Sequence, residues 1–302
     1  MVFVLAVLAA VANAFATVLQ RLGVEKAHPE GKKSRYLMAS ILKRPIWFVG
    51  LALTTGSFIL QALALSFGNL STVQPIMVTE IVFLAIILGT WFHHQMRWID
   101  WAAVFGTAVG LAVFLALSYS KEGHGSPSKY DWMLLLIASI GAIALGIVAA
   151  QRGPRSWRAL SYGVSAAICF ALTAAFIKTV ANEWPHGVVY VFSHPAAYSV
   201  AAAGLIGLVI SQHALDAGPV AASQAALLIV NPFSSIVMGI WLFKDHVHAT
   251  GSRAIIEGLF LGLMFYSLLL LSQSPLISST REAEKLSDRR SLSKVQADGS
   301  VA

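Results

Sequence analysis

Residues 68–91 read Gly-Asn-Leu-Ser-Thr-Val-Gln-Pro-Ile-Met-Val-Thr-Glu-Ile-Val-Phe-Leu-Ala-Ile-Ile-Leu-Gly-Thr-Trp, and residues 218–241 read Gly-Pro-Val-Ala-Ala-Ser-Gln-Ala-Ala-Leu-Leu-Ile-Val-Asn-Pro-Phe-Ser-Ser-Ile-Val-Met-Gly-Ile-Trp. Aligned without a gap, Gly68, Gln74, Phe83, Ile86, Gly89 and Trp91 fall on Gly218, Gln224, Phe233, Ile236, Gly239 and Trp241. The following segment repeats too, with Gly106-xxx-Gly110 answering to Gly258-xxx-Gly262. A duplicated apolar segment, each copy followed by a Gly-xxx-Gly helix, is the mark of a membrane transporter built from two halves.

Composition agrees. The 302 residues are 57% hydrophobic and 12% charged, with a mean hydropathy of +0.72. Soluble domains carry about 25% charged residues, so the pattern is that of a polytopic membrane protein. The net charge of +7 does not point to nucleic acid, because the basic residues lie between and after apolar runs. Cys169 is the single cysteine, which excludes an intrachain disulfide and a cysteine metal cluster. There is no Walker A motif and no Gly-x-Ser-x-Gly, so neither an enzyme nor a cofactor is expected.

Nine apolar runs approach the roughly 20 residues a helix needs to span a bilayer. They lie near 1–20, 45–66, 71–92, 98–118, 132–150, 158–181, 197–215, 219–243 and 252–272. The first reads as a retained span, since no basic segment precedes it. All eight tryptophans fall at or just beyond predicted helix ends, where an interfacial aromatic belt belongs. With the N-terminus outside, 16 of the 21 basic residues lie on the inner side or in the tail, which predicts an extracytoplasmic N-terminus and a cytoplasmic C-terminus in the plasma membrane. Stretches 34–44 and 186–193 are half-length and partly apolar, and are left open as segments that dip into the bilayer.

Helices 2–4 match helices 7–9, and helix 1 loosely matches helix 6. The shift of five is odd, so the halves have opposite orientations. The expected fold is all-α, with two inverted repeats (helices 1–4 and 6–9) joined by helix 5. The chain then divides into a first repeat (1–118), a linker carrying helix 5 (119–157), a second repeat (158–272) and a polar, disordered cytoplasmic tail (273–302).

Glu80 is the most informative residue. It lies nine residues into helix 3, roughly 13 Å deep at about 1.5 Å per residue. A carboxylate there costs about 2.5–3.5 kcal/mol, so it is a functional candidate by default. It reads either as a cation or proton site or as a hydrogen-bonded lock between helices. Asn231 and Pro232 occupy nearly the symmetric place in helix 8. Pro232 frees the carbonyl of Leu228, and Pro75 frees that of Ser71. Broken helices offer such groups to a solute; the alternative is a packing kink. Gln74 and Gln224 are repeat equivalents, and Gln61 and Gln212 sit on helices 2 and 7. Such amides line polar paths or join helices. Lys178 reads as a snorkelling helix-end residue, Asp216 as a turn residue, and Arg253 with Glu257 as an interfacial i,i+4 pair. Gly106, Gly110, Gly258 and Gly262 allow close helix contact, within the protomer or in a homodimer. His93-His94 and His246-x-His248 are too few ligands for a strong metal signal.

The duplicated pattern resembles the drug/metabolite transporter superfamily, and within it the NIPA-like branch, described as magnesium transporters with nine spans. The residues that carry the resemblance are Lys43-Arg44-Pro45-Ile46-Trp47-Phe48-Val49-Gly50, Gln61-Ala62-Leu63-Ala64-Leu65-Ser66-Phe67-Gly68, Val73-Gln74-Pro75 and Tyr162-Gly163…Lys178. Superfamily repeats often close their third helix with an acidic residue. Lys244-Asp245 stands there in the second half, His93-His94 in the first. The resemblance implies a secondary carrier working by alternating access. Three readings follow: a carrier of a small metabolite or drug, proton-coupled through Glu80; a magnesium carrier with Glu80 as metal ligand; and a non-transporting membrane scaffold. The partners expected are the lipid bilayer and a small-molecule or cation substrate.

Overall fold

The computed structural model describes residues 1–25, 45–91, 97–117, 127–218, 220–245 and 252–272. Among them every regular element is helical. They are α1 (Val2–Glu25), α2 (Pro45–Phe67), α3 (Leu70–Met77), α4 (Glu80–Trp91), α5 (Trp98–Leu117), α6 (Lys129–Ala150), α7 (Arg155–Glu183), a 3-10 turn (Trp184–His186), α8 (Val188–Ser193), α9 (Pro195–Ala217), α10 (Val220–Leu242) and α11 (Ser252–Ser272). In a bilayer, helices are the open-chain solution, because they satisfy every backbone group internally.

Eight helical segments are long and apolar enough to cross a membrane, α3 and α4 counting as one. The predicted ninth span forms helix α11, but its apolar part, Ile255–Leu271, is shorter than the rest. Large apolar side chains cover the outside, for example Leu145 at 71% exposed, Leu205 at 65% and Ile137 at 62%. Water would not tolerate so continuous a patch, so the chain is a multi-pass membrane protein. The 34–44 stretch, both histidine pairs and the tail lie outside the described residues. Residues 186–193 form the 3-10 turn and α8, with Gly187 between them at φ 97°, a conformation glycine adopts without cost.

Local signals set several helix starts. Pro45 and Pro195 open α2 and α9, where the missing N–H is no loss. Ser128 caps α6 in a capping box with Asp131. Asp100 accepts from the Arg97 N–H at 2.8 Å at the head of α5.

Packing is organised in pairs. α1 lies along α2, and α7 lies along α9. Ser57 donates to the Ala9 carbonyl at 2.8 Å and Gln20 to Thr54 at 2.8 Å, which ties the first pair. α10 packs on α7, while α3 and α4 pack on α1. Two contacts join the matching segments themselves, α3 with α10 and α5 with α11. The main core sits where α2, α3, α7 and α10 meet, around Leu65, Leu70, Val73, Ile76, Leu172, Met238 and Leu242. A second cluster joins α4, α5 and α11 through Ile81, Ala85, Ala103, Met264 and Leu268.

The two linker glycines mark the ends of the bundle. A Cβ on Gly68 would meet Val2 at the start of α1 at 2.5 Å, and one on Gly218 would meet the Arg155 carbonyl at the start of α7 at 2.1 Å. Lys178, near the end of α7, also reaches Gly68. So α1 begins where α7 ends.

Candidate functional site

The stretch 71–92, read from sequence as one helix, is broken. Pro75 lies inside α3, but the break comes a turn later, at Val78–Thr79. There the ladder tightens to i→i+3. The Ile76 carbonyl accepts from the Thr79 N–H at 3.0 Å and from the Thr79 hydroxyl at 2.6 Å. A threonine that bonds back to its own helix bends it. Glu80 therefore opens α4. From α1, the Asn13 Nδ2 donates to Glu80 Oε2. Thr17 in turn donates to the Asn13 carbonyl at 3.0 Å. The side chain of Glu80 is partly buried, not sealed.

α3 and α10 run antiparallel. A Cβ on Gly239 would lie 3.2 Å from the Ser71 N–H nitrogen. Glu80 follows Ser71 across the break, whereas Asn231 precedes Gly239 by about 12 Å in an unbroken helix, at about 1.5 Å per residue. Gln74 and Ser235 each lie within a turn of that contact, while Glu80 and Asn231 lie farther along the chain from it. Three of these residues carry buried polar atoms with no hydrogen-bond partner among the described residues, Gln74 Nε2, Asn231 Oδ1 and Ser235 Oγ. Orphaned buried polar atoms in a membrane core call for an explanation.

The other candidates divide. Gln61 is buried on α2, Gln224 is half-buried on α10, and Gln212 is exposed on α9. Pro232 is buried, yet α10 runs through it without a break. Gly110 sits against α11, where a Cβ would come within 2.8 Å of Met264 N and Phe260 O, and Gly106 faces Ser267. A Cβ on Gly258 or Gly262 would meet nothing within 4 Å among the described residues, so the second pair makes no such contact with them.

One reading is corrected. Lys178 does not snorkel. It is buried and donates to the carbonyls of Leu65, at 2.6 Å, and Gly68. A cation there complements the negative end of α2. Glu257 is buried, at 4% exposure, and the side chain of Arg253, its expected partner, lies outside the described residues. Asp245, the acidic residue at the close of the second repeat's third helix, was given no partner by the sequence. Its Oδ2 accepts from the Ser71 N–H at 3.2 Å and the Ser71 hydroxyl at 3.0 Å, at the amide end of α3. Lys244 turns left-handed, at φ 54°, to bring it there. The signal available was the acidic residue closing the repeat's third helix. Lys178 and Asp245 thus grip the short link between α2 and α3 from two sides, cation on carbonyls and anion on amides. Both come from the second half of the chain.

Among the described residues, no three histidine, cysteine, aspartate or glutamate side chains converge as a metal site would require.

No family model matches the chain, and no solved structure matches it. The chain is similar to an uncharacterized protein of Corynebacterium glutamicum, 23% identical over 277 residues, covering 89% of this chain and 95% of that protein.

Proposed function

We propose that the chain is a gradient-driven carrier of a small solute, a member of the drug/metabolite transporter superfamily working by alternating access. The two repeats are inverted, α11 is the ninth span, and the N-terminus faces away from the cytoplasm. The observation that carries the reading is the Asn13–Glu80 pair at a helix break. An acidic side chain at membrane depth is there for function by default, and a broken helix supplies loose backbone groups to a solute. The inversion is supported by Gly68, which touches the start of α1 and the end of α7. Self-pairing of α3 with α10 and of α5 with α11 fits two halves that meet about a pseudo-twofold axis.

The test is flux in proteoliposomes, wild type against Glu80→Gln, with a pH dye or a magnesium dye inside. Proton movement on adding candidate metabolites, lost in the variant, supports the carrier with Glu80 as its proton site. Magnesium entry lost in the variant selects the cation reading instead. No flux in either protein, with Glu80→Gln more heat-stable than wild type, makes the pair a structural lock and the chain a scaffold.

A further inference from the structure

A second polar site lies at the other end of the bundle. Arg158, Tyr162, His213, Asp216 and Ala217 line a cleft of about 270 Å³ between the start of α7 and the end of α9. At about 30 Å³ per water it has room for roughly nine non-hydrogen atoms.

The walls are fixed. The Arg158 Nε donates to the Ala150 carbonyl at 3.2 Å, which leaves the far nitrogens of the guanidinium for a ligand. Tyr162 and His213 meet edge to face, with ring centroids 6.1 Å apart. Gly218 presses on the Arg155 carbonyl, where even a Cβ would not fit, so the end of α9 is held against α7.

The charges decide the chemistry. Arg158 and Asp216 line one cleft, and no ion pair among the described residues joins them. Both side chains are exposed, and a ligand that carries both charges complements the two walls. The aromatic pair lies about four residues, roughly 6 Å, below the charged rim. The rim stands at helix ends, beside the half-exposed Trp157, at the level where tryptophan marks the membrane interface. Arg152 and Arg155 are exposed on the same turn and raise the local attraction for phosphate.

We propose that this cleft binds a phosphoethanolamine-type zwitterion, with the phosphate on Arg158 and the ammonium on Asp216. The ligand is a lipid headgroup or a free solute of the same chemistry. The site stands apart from Glu80 and does not depend on the transport reading.

The test is retention of lipid by the full chain in native mass spectrometry, after exchange into mixed phosphatidylethanolamine, phosphatidylcholine and phosphatidylglycerol. Wild type should hold phosphatidylethanolamine over phosphatidylcholine by about tenfold, since a quaternary ammonium cannot donate to Asp216 and a charged hydrogen bond is worth that much. Asp216→Asn should lose that preference and favour phosphatidylglycerol, Asp216→Glu should keep it, and Arg158→Gln should hold none of the three preferentially. Soluble phosphoethanolamine that displaces the lipid assigns the site to a free solute, and failure to displace assigns it to the headgroup. Equal retention of all three lipids by wild type, or an Asp216→Asn profile identical to wild type, overturns the proposal.

Discussion

Replacing Lys178 with Met isolates the grip on the α2–α3 link. The substitution keeps an apolar stem of similar length and removes the ammonium. It strands the Leu65 and Gly68 carbonyls, which belong to a helix end whose carbonyls have no partner within the helix. A hydrogen bond to a charged group is worth about 1.5–3 kcal/mol in soluble proteins, whereas interhelical bonds in membranes average about 0.6 and reach about 1.7. Two bonds between these limits give about 2–3 kcal/mol, or a shift of roughly 30- to 150-fold in the population of a state where this end is open. Asn69, in the link itself, is only 5% exposed and serves as the reporter. In a background with Cys169→Ala, Asn69→Cys should react slowly with a membrane-impermeant maleimide. Lys178→Met should raise the rate by tens of fold, and Lys178→Arg should leave it near wild type. Unchanged labelling in a Lys178→Met protein that has lost thermal stability would refute the reasoning, because the lysine would then support the fold without closing this end.

Two further substitutions probe the packing. Gly110→Val should unseat α5 from α11 and lower thermal stability markedly, by about 2 kcal/mol or more given an overpacked contact, while Gly262→Val should be near neutral in detergent-solubilised protein. Equal effects would mean that Gly262 also has a partner. Lys244→Gly should raise stability by about 1 kcal/mol, because a left-handed conformation costs a side chain about that much, and it should leave Asn69→Cys labelling unchanged; a drop in melting temperature would show that the lysine side chain matters for more than the turn.

The spans were legible in the sequence because desolvation forces every long apolar run into a helix, and the residues at 45–67, 129–150 and 195–217 obey that rule without local complication. Glu80 stood out for the same reason, as the one carboxylate in the duplicated stretches 68–91 and 218–241. The break that carries it was not legible at Pro75, because the bend depends on whether the Thr79 hydroxyl bonds back to Ile76 or outward, and both fit the sequence. The Asn13 partner was out of reach as well, since nothing local to residue 13 tells which helix face meets α4. Lys178 reads as a helix-end cation in either case; only the position of α2 decides whether it finds lipid headgroups or carbonyls. Gly258 and Gly262 repeat the spacing of Gly106 and Gly110, but a glycine pair packs only where a second helix arrives, and that is a property of the assembled bundle.

The central claim is that the two ends of the bundle open in turn around the layer of Glu80. It is tested most directly by pulsed electron spin distance measurements in nanodiscs, with one label pair at Phe67 and Lys244 and another at Val49 and Gln151. Alternating access predicts two distance populations at each end, with Lys178→Met lengthening the first pair and shortening the second together. A single distance at both ends, unmoved by Lys178→Met, would contradict it and leave a static membrane scaffold.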